Sequence, residues 1–199
     1  DNPDPDSLSS AYGLQTLFEG VLGRKTTIGY GGIIGRAENR APVRACKIPV
    51  LASGGIADGY QMAACLALGA QGINMGTRFM CTKEAPIHDK VKLALVKAGE
   101  RDTNLIFRTM RNTSRVLKNA VSDEVVSMEK KGATFDEVRH LVAGAKGRNA
   151  MQTGDVDAGI VSAGMVVGLI KDIPTCKELI ERLVRECREA LAAASKMAA

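Results

Sequence analysis

Apolar residues cluster most clearly between Ile48 and Phe79, and their pattern predicts a strand, a helix and a second strand. The apolar run at the start of this stretch is typical of a strand buried on both faces, and Ser53-Gly54-Gly55 ends it. Tyr60 to Leu68 is rich in helix formers and contains neither Pro nor Gly. Gly72 to Met75 predicts the second strand. A unit of this length indicates parallel strands joined by a right-handed crossover.

A glycine turn follows each of these two predicted strands. Ser53-Gly54-Gly55 and Gly76-Thr77 both leave the carboxyl ends of parallel strands, so we expect them to lie side by side where α/β proteins bind ligands. Because glycine has no Cβ, a phosphate can approach the backbone and accept hydrogen bonds from successive N–H groups. One Ser-Gly-Gly is more often only a tight turn, but two turns on neighbouring strands favour a phosphate site.

The next predicted element is a helix that follows Pro86. Val91 and Leu95 recur at helical spacing on its apolar face. His88 lies near its start, and we expect it to cap the helix or lie at the surface rather than act as a catalytic base. The same interpretation applies to His140, which lies in a second predicted helix.

The segment from Arg101 to Asn119 is predicted to be helical, because Arg108, Arg111 and Arg115 recur at spacings of three and four. They would then share one helical face. Such a face is more often solvated or paired with acidic residues than used for function, and a contact with a phosphate or a partner stays open as the alternative.

Two capping boxes mark further helix starts. Thr134 and Thr175 are each followed three residues later by a glutamate, Glu137 and Glu178. An apolar stripe predicts that the last helix runs from Cys176 to about residue 194 and docks against the rest of the chain.

Composition narrows the classes of function. The 199 residues, 45% of them hydrophobic, suffice for a buried core. The net charge of +5 comes from interspersed Lys and Arg, and with 4% aromatic residues and no Trp it does not indicate a nucleic-acid partner. The five cysteines are odd in number and irregularly spaced, which favours thiols in a reducing compartment over disulfides or a metal site. The absence of a long apolar run or signal peptide predicts a cytoplasmic protein without a membrane partner.

Four motifs resemble those of a known enzyme family. IPVLASGGIADG and LALGAQGINMGTRF resemble the last two strands of the flavin-dependent nitronate monooxygenases, long called 2-nitropropane dioxygenases, and of the related flavin-dependent enoyl-acyl carrier protein reductases. ERDTNLIFRTMRNTSRVLKN (Glu100 to Asn119) and GDVDAGIVSAGMVVGLI (Gly154 to Ile170) resemble the nitronate monooxygenase branch. The likeness extends from about Lys47 to the C-terminus.

The resemblance implies a TIM barrel with FMN across its top and the FMN phosphate in the loops after the last two strands. It also implies that Ser162 contacts the substrate, although simple packing of Ser162 against a neighbouring helix explains the residues equally well. The implied cofactor-binding residues are Ser53, Gly54, Gly55, Asn74, Met75, Gly76 and Thr77.

The chain is shorter than the roughly 250 residues of a complete barrel. We therefore expect an α/β fold that comprises a partial TIM barrel, its last β/α units, with a helical C-terminal region. The expected parts are an atypical and partly disordered segment at 1–46, two barrel strands with the FMN phosphate loops at 47–85, and helices at 86–199. The first part contains no histidine, the residue proposed as catalytic base in the family.

The activity implied by the resemblance is FMN-dependent oxidation of nitronates by molecular oxygen to a carbonyl compound and nitrite, impaired by the missing barrel strands. Two alternatives stay open, namely a non-catalytic remnant of such an enzyme and a flavin-dependent enoyl-thioester reductase. The expected partners are a small nitronate, O2 and possible further copies of the chain.

Overall fold

Residues 49–198 are described by the computed structural model, and within this range helices predominate over strands in a mixed α/β fold. The predictions for residues 1–46 lie outside this range. In chain order the elements are β1 (Leu51–Ser53), α1 (Gly59–Ala67), β2 (Gly72–Asn74), α2 (Thr77–Met80), α3 (Asp89–Lys97), β3 (Thr103–Ile106), β4 (Ser114–Leu117), α4 (Ala120–Lys130), α5 (Phe135–Val142), α6 (Gly144–Thr153), the 3₁₀-helix η1 (Met165–Leu169) and α7 (Cys176–Met197).

The predicted strand–helix–strand unit is present. β1 and β2 pair in parallel, with Ser53 opposite Asn74, and α1 connects them. Asp58 is the N-cap of α1, because its carboxylate accepts a hydrogen bond from the N–H of Gln61 at 2.8 Å. The expectation of a strand buried on both faces is wrong, since Leu51 is 59% exposed. The partial barrel stays a prediction, because β1 and β2 are the only parallel strands among the described residues.

Helix α7 packs against α1 at a glycine. A Cβ at Gly59 would lie 2.6 Å from the backbone nitrogen of Cys187, so only glycine allows this close approach. The N–H of Gly59 also donates to the Glu186 carboxylate at 2.9 Å. The C-terminal helix is therefore fixed against the βαβ unit that carries the two glycine turns.

The region between residues 101 and 119 is a β-hairpin, and the prediction of a helix there is wrong. β3 and β4 are antiparallel, with Thr103 opposite Leu117. The hairpin loop contains two non-glycine residues in the left-handed region, Phe107 with φ +61° and Arg111 with φ +55°, which an α-helix does not allow. The three arginines consequently share no helical face, because Arg115 lies on β4 and the other two lie in the loop.

Two apolar clusters support this region. One lies between α3 and η1, and the other lies under the hairpin, between it and α4 and α5. The fully buried side chains of the first include Val91, Leu95 and Val167, and those of the second include Val116 and Val125. The hairpin is therefore packed against the rest of the structure and is not an exposed surface loop.

The predicted helix caps are confirmed. The Nδ1 of His88 accepts a hydrogen bond from the N–H of Lys90 at 3.1 Å and caps α3. Thr134 and Thr175 form capping boxes at the starts of α5 and α7. A third capping box, formed by Asn119 at the start of α4, is absent from the sequence-based predictions because its N3 residue is a serine and not an acid or amide.

Four cysteines lie in the described range, and none of these four forms a disulfide. Cys65, Cys81 and Cys187 are buried, and burial raises the pKa of the Cys81 thiol to about 11, which keeps it protonated. Cys46 lies outside the described residues. Over residues 49–198, no helix has both the length and the apolar character needed to cross a membrane.

Candidate functional site

The pairing of β1 with β2 brings the two glycine turns next to each other. The N–H of Gly54 donates to the carbonyl oxygen of Asn74 at 3.3 Å, and the Asn74 side-chain amide donates to the Ser53 hydroxyl at 3.1 Å. The sequence predicts this adjacency. The hydrogen bond also corrects one detail, because the Gly54 N–H donates to the end of β2 and does not point at a ligand.

The first turn needs its glycines for backbone conformation. Gly54 and Gly55 have φ values of +84° and +71°, in the left-handed region where other residues are strained. A Cβ built on either one meets no atom of the described residues within 4 Å. The turn therefore borders open space, which a ligand group can occupy.

The second turn begins the short helix α2. Gly76 has φ −95°, and a Cβ there would also meet nothing within 4 Å, so neither conformation nor described neighbours require glycine. Thr77 is the first residue of α2, and its hydroxyl accepts a hydrogen bond from the N–H of Gly164 at 3.0 Å. This contact joins the second turn to the segment that leads into η1.

A cleft of about 640 Å³ lies beside the first turn, and we call it the glycine cleft. Its walls come from the first turn, α1, β4 and η1. The lining residues are Ser53, Gly54, Gly55, Ile56, Gln61, Ala64, Cys65, Glu100, Arg115, Gly164, Met165, Val166, Gly168 and Leu169.

The predicted cofactor-binding residues do not all face this cleft. Ser53 and the two glycines of the first turn line it, whereas Asn74 and Met75 line a smaller apolar hollow of about 380 Å³ against α7. Gly76 and Thr77 lie at the start of α2 and are connected to the cleft through Gly164. The first turn is thus the part of the predicted site with the clearest access to a ligand.

Ser162 lies in a different cleft, of about 690 Å³, beneath the β-hairpin. Ser114 and Asn112 provide polar groups there, and Phe107 and Phe135 form an edge-to-face aromatic pair with ring centroids 5.9 Å apart. We call it the hairpin cleft. The described structure therefore separates the predicted substrate residue from the predicted phosphate turn.

A short extended segment passes between the two clefts. Ser162 bridges to Val116 of β4, the buried Ala163 follows, and Gly164 lines the glycine cleft. Asn119 fixes the residues that precede this segment in the sequence. Its side-chain amide donates to the carbonyl oxygens of Val156 at 2.6 Å and Gly159 at 2.8 Å. The position of Ser162 thus depends on the N-terminus of α4.

Arg115 lines the glycine cleft from strand β4, whereas the sequence pattern predicted that it lies on a helix. Its guanidinium donates to the Thr103 hydroxyl across the hairpin at 2.9 Å, and burial lowers its pKa. β4 gave little signal of a strand, because its two polar residues, Ser114 and Arg115, are followed by the buried Val116 and Leu117 and do not alternate with them.

A charged network lies behind the second turn. Arg78 is 2% exposed, and both it and Arg182 of α7 contact the Asp172 carboxylate at 2.7 Å. Burial raises the pKa of Asp172, but the hydrogen bond from Arg182 and the charge of Arg78 outweigh burial, so its pKa lies below the usual value. The network anchors α2, and hence the second turn, to the C-terminal helix.

The parallel strands β1 and β2, joined by helix α1, define an α/β protein, and a glycine turn follows each strand at the edge where such folds commonly bind ligands. The sequence places the chain more narrowly. Residues 36–186, about three quarters of the chain, match the sequence model of the nitronate monooxygenase family. The chain therefore belongs to the nitronate monooxygenase family, which is related to FabK.

The chain is similar to two curated relatives with different names. The chain is 31% identical over 185 residues to (3aS,4S,5R,7aS)-5-hydroxy-7a-methyl-1-oxo-octahydro-1H-indene-4-carboxyl-CoA dehydrogenase of Rhodococcus jostii, covering 71% of this chain and 50% of that protein. It is 31% identical over 160 residues to the nitronate monooxygenase of Paraburkholderia phytofirmans, covering 78% and 42%. The chain thus spans about half the length of the curated relatives it matches.

Solved structures support the same placement. FabK from Thermotoga maritima matches with a TM-score of 0.74 and 34% identity, over 79% of this chain and 50% of FabK. A nitroalkane oxidase from Streptomyces ansochromogenes matches with a TM-score of 0.61 and 31% identity, over 79% of this chain and 44% of the oxidase.

Proposed function

We propose that this chain supplies the cofactor-phosphate site of a flavin-dependent oxidoreductase of the nitronate monooxygenase type, with FMN as the flavin. The observation that carries the proposal is the parallel pairing of Ser53 with Asn74, which sets two glycine turns side by side. The proposed cofactor-binding residues are Ser53, Gly54, Gly55, Asn74, Met75, Gly76 and Thr77.

The residues of the glycine cleft fit an anionic cofactor group. The open side of Gly54 and Gly55 leaves room for a phosphate, and the Ser53 hydroxyl provides a polar group at the same turn. The cleft also contains apolar surface from η1, including Met165 and Leu169, which suits a flat ring system. When bound, FMN would supply the redox chemistry between the substrate and molecular oxygen.

The chain's own residues would bind the cofactor and the substrate and orient them relative to each other. Thr77 and Gly164 hold the second turn against the segment that carries Ser162, so cofactor and substrate groups would be positioned by one connected backbone. We propose Ser162 as a hydrogen-bond donor to an oxygen of a small nitronate at the mouth of the hairpin cleft. A nitronate is already an anion and requires no proton removal, so this activity does not depend on a histidine base.

A second candidate is a flavin-dependent reductase of enoyl thioesters. The observation in its favour is the higher TM-score for FabK, an enoyl-acyl carrier protein reductase, than for the nitroalkane oxidase, 0.74 against 0.61. The curated relative from Rhodococcus jostii, named as a carboxyl-CoA dehydrogenase, also acts on a thioester.

Activity assays on the purified chain, supplied with FMN, separate these functions. Oxygen uptake that depends on a nitronate, with release of nitrite, supports the proposed function. Consumption of a reduced pyridine nucleotide with a crotonyl thioester supports the reductase instead. A folded chain that binds FMN and catalyses neither reaction would be the non-catalytic alternative.

A further inference from the structure

Arg115 brings a positive charge to the wall of the glycine cleft. It lines the same cleft as Ser53 and Gly54. The carbonyl oxygen of Arg115 accepts a hydrogen bond from the N–H of Ala163 at 3.3 Å. The next residue, Gly164, donates to the Thr77 hydroxyl, so the backbone that carries the guanidinium is fastened to the second glycine turn.

The guanidinium has no acidic partner in the described part of the chain. Its side-chain hydrogen bond goes to the neutral Thr103 hydroxyl, and among residues 49–198 no carboxylate oxygen lies within 4.0 Å of it. Glu100 also lines the cleft but does not reach salt-bridge distance. Burial lowers the pKa of Arg115, so this cation is partly desolvated, and the described residues place no anion beside it.

Arg78, the buried arginine near the site, is not available to a ligand. Arg78 is paired with Asp172 behind the second turn. Among residues 49–198, a ligand anion in the glycine cleft would therefore find one cation without an acidic partner, Arg115. Arginine is suited to this role because its planar guanidinium stays charged and can donate two parallel hydrogen bonds to a phosphate.

We propose that Arg115 is the charged side-chain ligand for the phosphate of the molecule that binds in the glycine cleft. The backbone of the first turn and the Arg115 guanidinium would both contact the phosphate. The inference rests on the proposed function for the identity of the molecule, FMN, but its chemistry requires only a phosphate group.

The test compares FMN with riboflavin, which has the same ring system and no phosphate. Binding of each flavin is measured by fluorescence titration for the wild type, Arg115→Gln and Arg115→Lys. Loss of a charge-assisted hydrogen bond should weaken FMN binding by about tenfold or more in Arg115→Gln, with an intermediate effect in Arg115→Lys. Riboflavin binding should stay within about twofold of the wild type, since a phosphate contact cannot affect it.

Arg108→Gln is the matched control. Arg108 is an exposed arginine of the same hairpin and does not line the glycine cleft, so this variant removes the same charge at a different place. It should bind FMN as the wild type does. If Arg115→Gln does not fold, as judged by circular dichroism, Arg115→Lys alone provides the comparison, because it keeps the charge but loses the two-pronged geometry.

Three results would overturn the inference. In the first, Arg115→Gln weakens the binding of FMN and riboflavin equally, so that Arg115 only shapes the cleft. In the second, neither affinity changes. In the third, the wild type binds neither flavin nor phosphate. Titration with inorganic phosphate distinguishes failure of this inference from failure of the proposed function. If the wild type binds phosphate in an Arg115-dependent way but binds no flavin, the proposed function fails and Arg115 remains a ligand of phosphate.

Discussion

The hydroxyl of Thr77 accepts a hydrogen bond from the backbone N–H of Gly164, 87 residues further along the chain, at 3.0 Å. Thr77 belongs to the second glycine turn, and Gly164 precedes η1 on the wall of the glycine cleft. Through this bond the C-terminal half of the chain holds one of the two turns in position. The geometry of the ligand site is therefore a property of both halves of the described structure.

Replacement of Thr77 tests this connection. Thr77→Val keeps the size of the side chain but leaves the Gly164 N–H without an acceptor, which should lower the free energy of unfolding by about 1–3 kcal/mol. Thr77→Ser retains the hydroxyl and should lose much less. Urea denaturation measures both variants. Equal stability of Thr77→Val and the wild type would mean that the bond does not hold the turn.

Gly76→Ala separates ligand binding from stability. Its φ of −95° suits alanine and an added Cβ meets no described atom within 4 Å, so we expect a thermal midpoint close to that of the wild type. If the second turn approaches the cofactor phosphate, the new methyl group should nevertheless weaken FMN binding by about tenfold, a loss of about 1.4 kcal/mol. Unchanged FMN affinity in this variant would remove Gly76 from the proposed site.

Glu129 stabilises the hairpin loop that borders the hairpin cleft. It is buried, and its carboxylate accepts hydrogen bonds from the N–H of Phe107 at 2.8 Å and from the N–H and hydroxyl of Thr109 at 3.3 and 3.0 Å. Glu129→Ala leaves these donors unsatisfied beside a residue in the left-handed conformation, so it should cost about 2–4 kcal/mol in unfolding free energy.

The exposed Glu124 of the same helix provides the control for Glu129. Glu124→Ala should change stability by less than about 0.5 kcal/mol. The prediction for Glu129 fails if chemical denaturation gives the two alanine variants the same stability.

The network at Asp172 predicts a defined pH dependence. The lowered pKa of its carboxyl means that the folded state favours the charged form, so its stabilising contribution is complete above the ordinary value of 3.8. That contribution is lost as the pH falls through the lower folded-state pKa. Asp172→Asn leaves the buried Arg78 without its charge partner, and because the carboxylate is 43% exposed we expect a cost of only about 1–3 kcal/mol near pH 7.

The difference in unfolding free energy between wild type and Asp172→Asn should therefore narrow as the pH is lowered below 3.8. Glu181→Gln is a suitable control, because Glu181 makes only a 4.0 Å exposed ion pair on α7. Unfolding curves measured at several pH values test this prediction, and a difference that stays constant through the acid range would contradict it.

Local sequence patterns were enough to predict the βαβ unit and several helix starts. Glycine after an apolar run, and a threonine three residues before a glutamate, act through neighbouring residues only. The hairpin at Thr103–Leu117 was not predictable in this way. Its strands are short, and the loop is held by Glu129 from another element, so tertiary contacts override the arginine spacing that suggested a helix.

The candidate site was predictable to a similar extent. The first turn, Ser53 to Gly55, has the predicted position because its conformation depends on its own glycines. The separation of Ser162 from that turn depends on how residues 160–164 pair with β4, which local spacing does not encode. Arg115 reaches the glycine cleft for the same reason, since its position follows from strand pairing and not from the arginine repeat.

The affinities of the wild-type chain for FMN and riboflavin test the proposed phosphate site at the paired turns. Both flavins are titrated into the same folded preparation, and only the phosphate differs between them. We expect FMN to bind at least about tenfold more tightly than riboflavin. Equal affinities, or no binding of FMN by a chain that circular dichroism reports as folded, would contradict the proposed site.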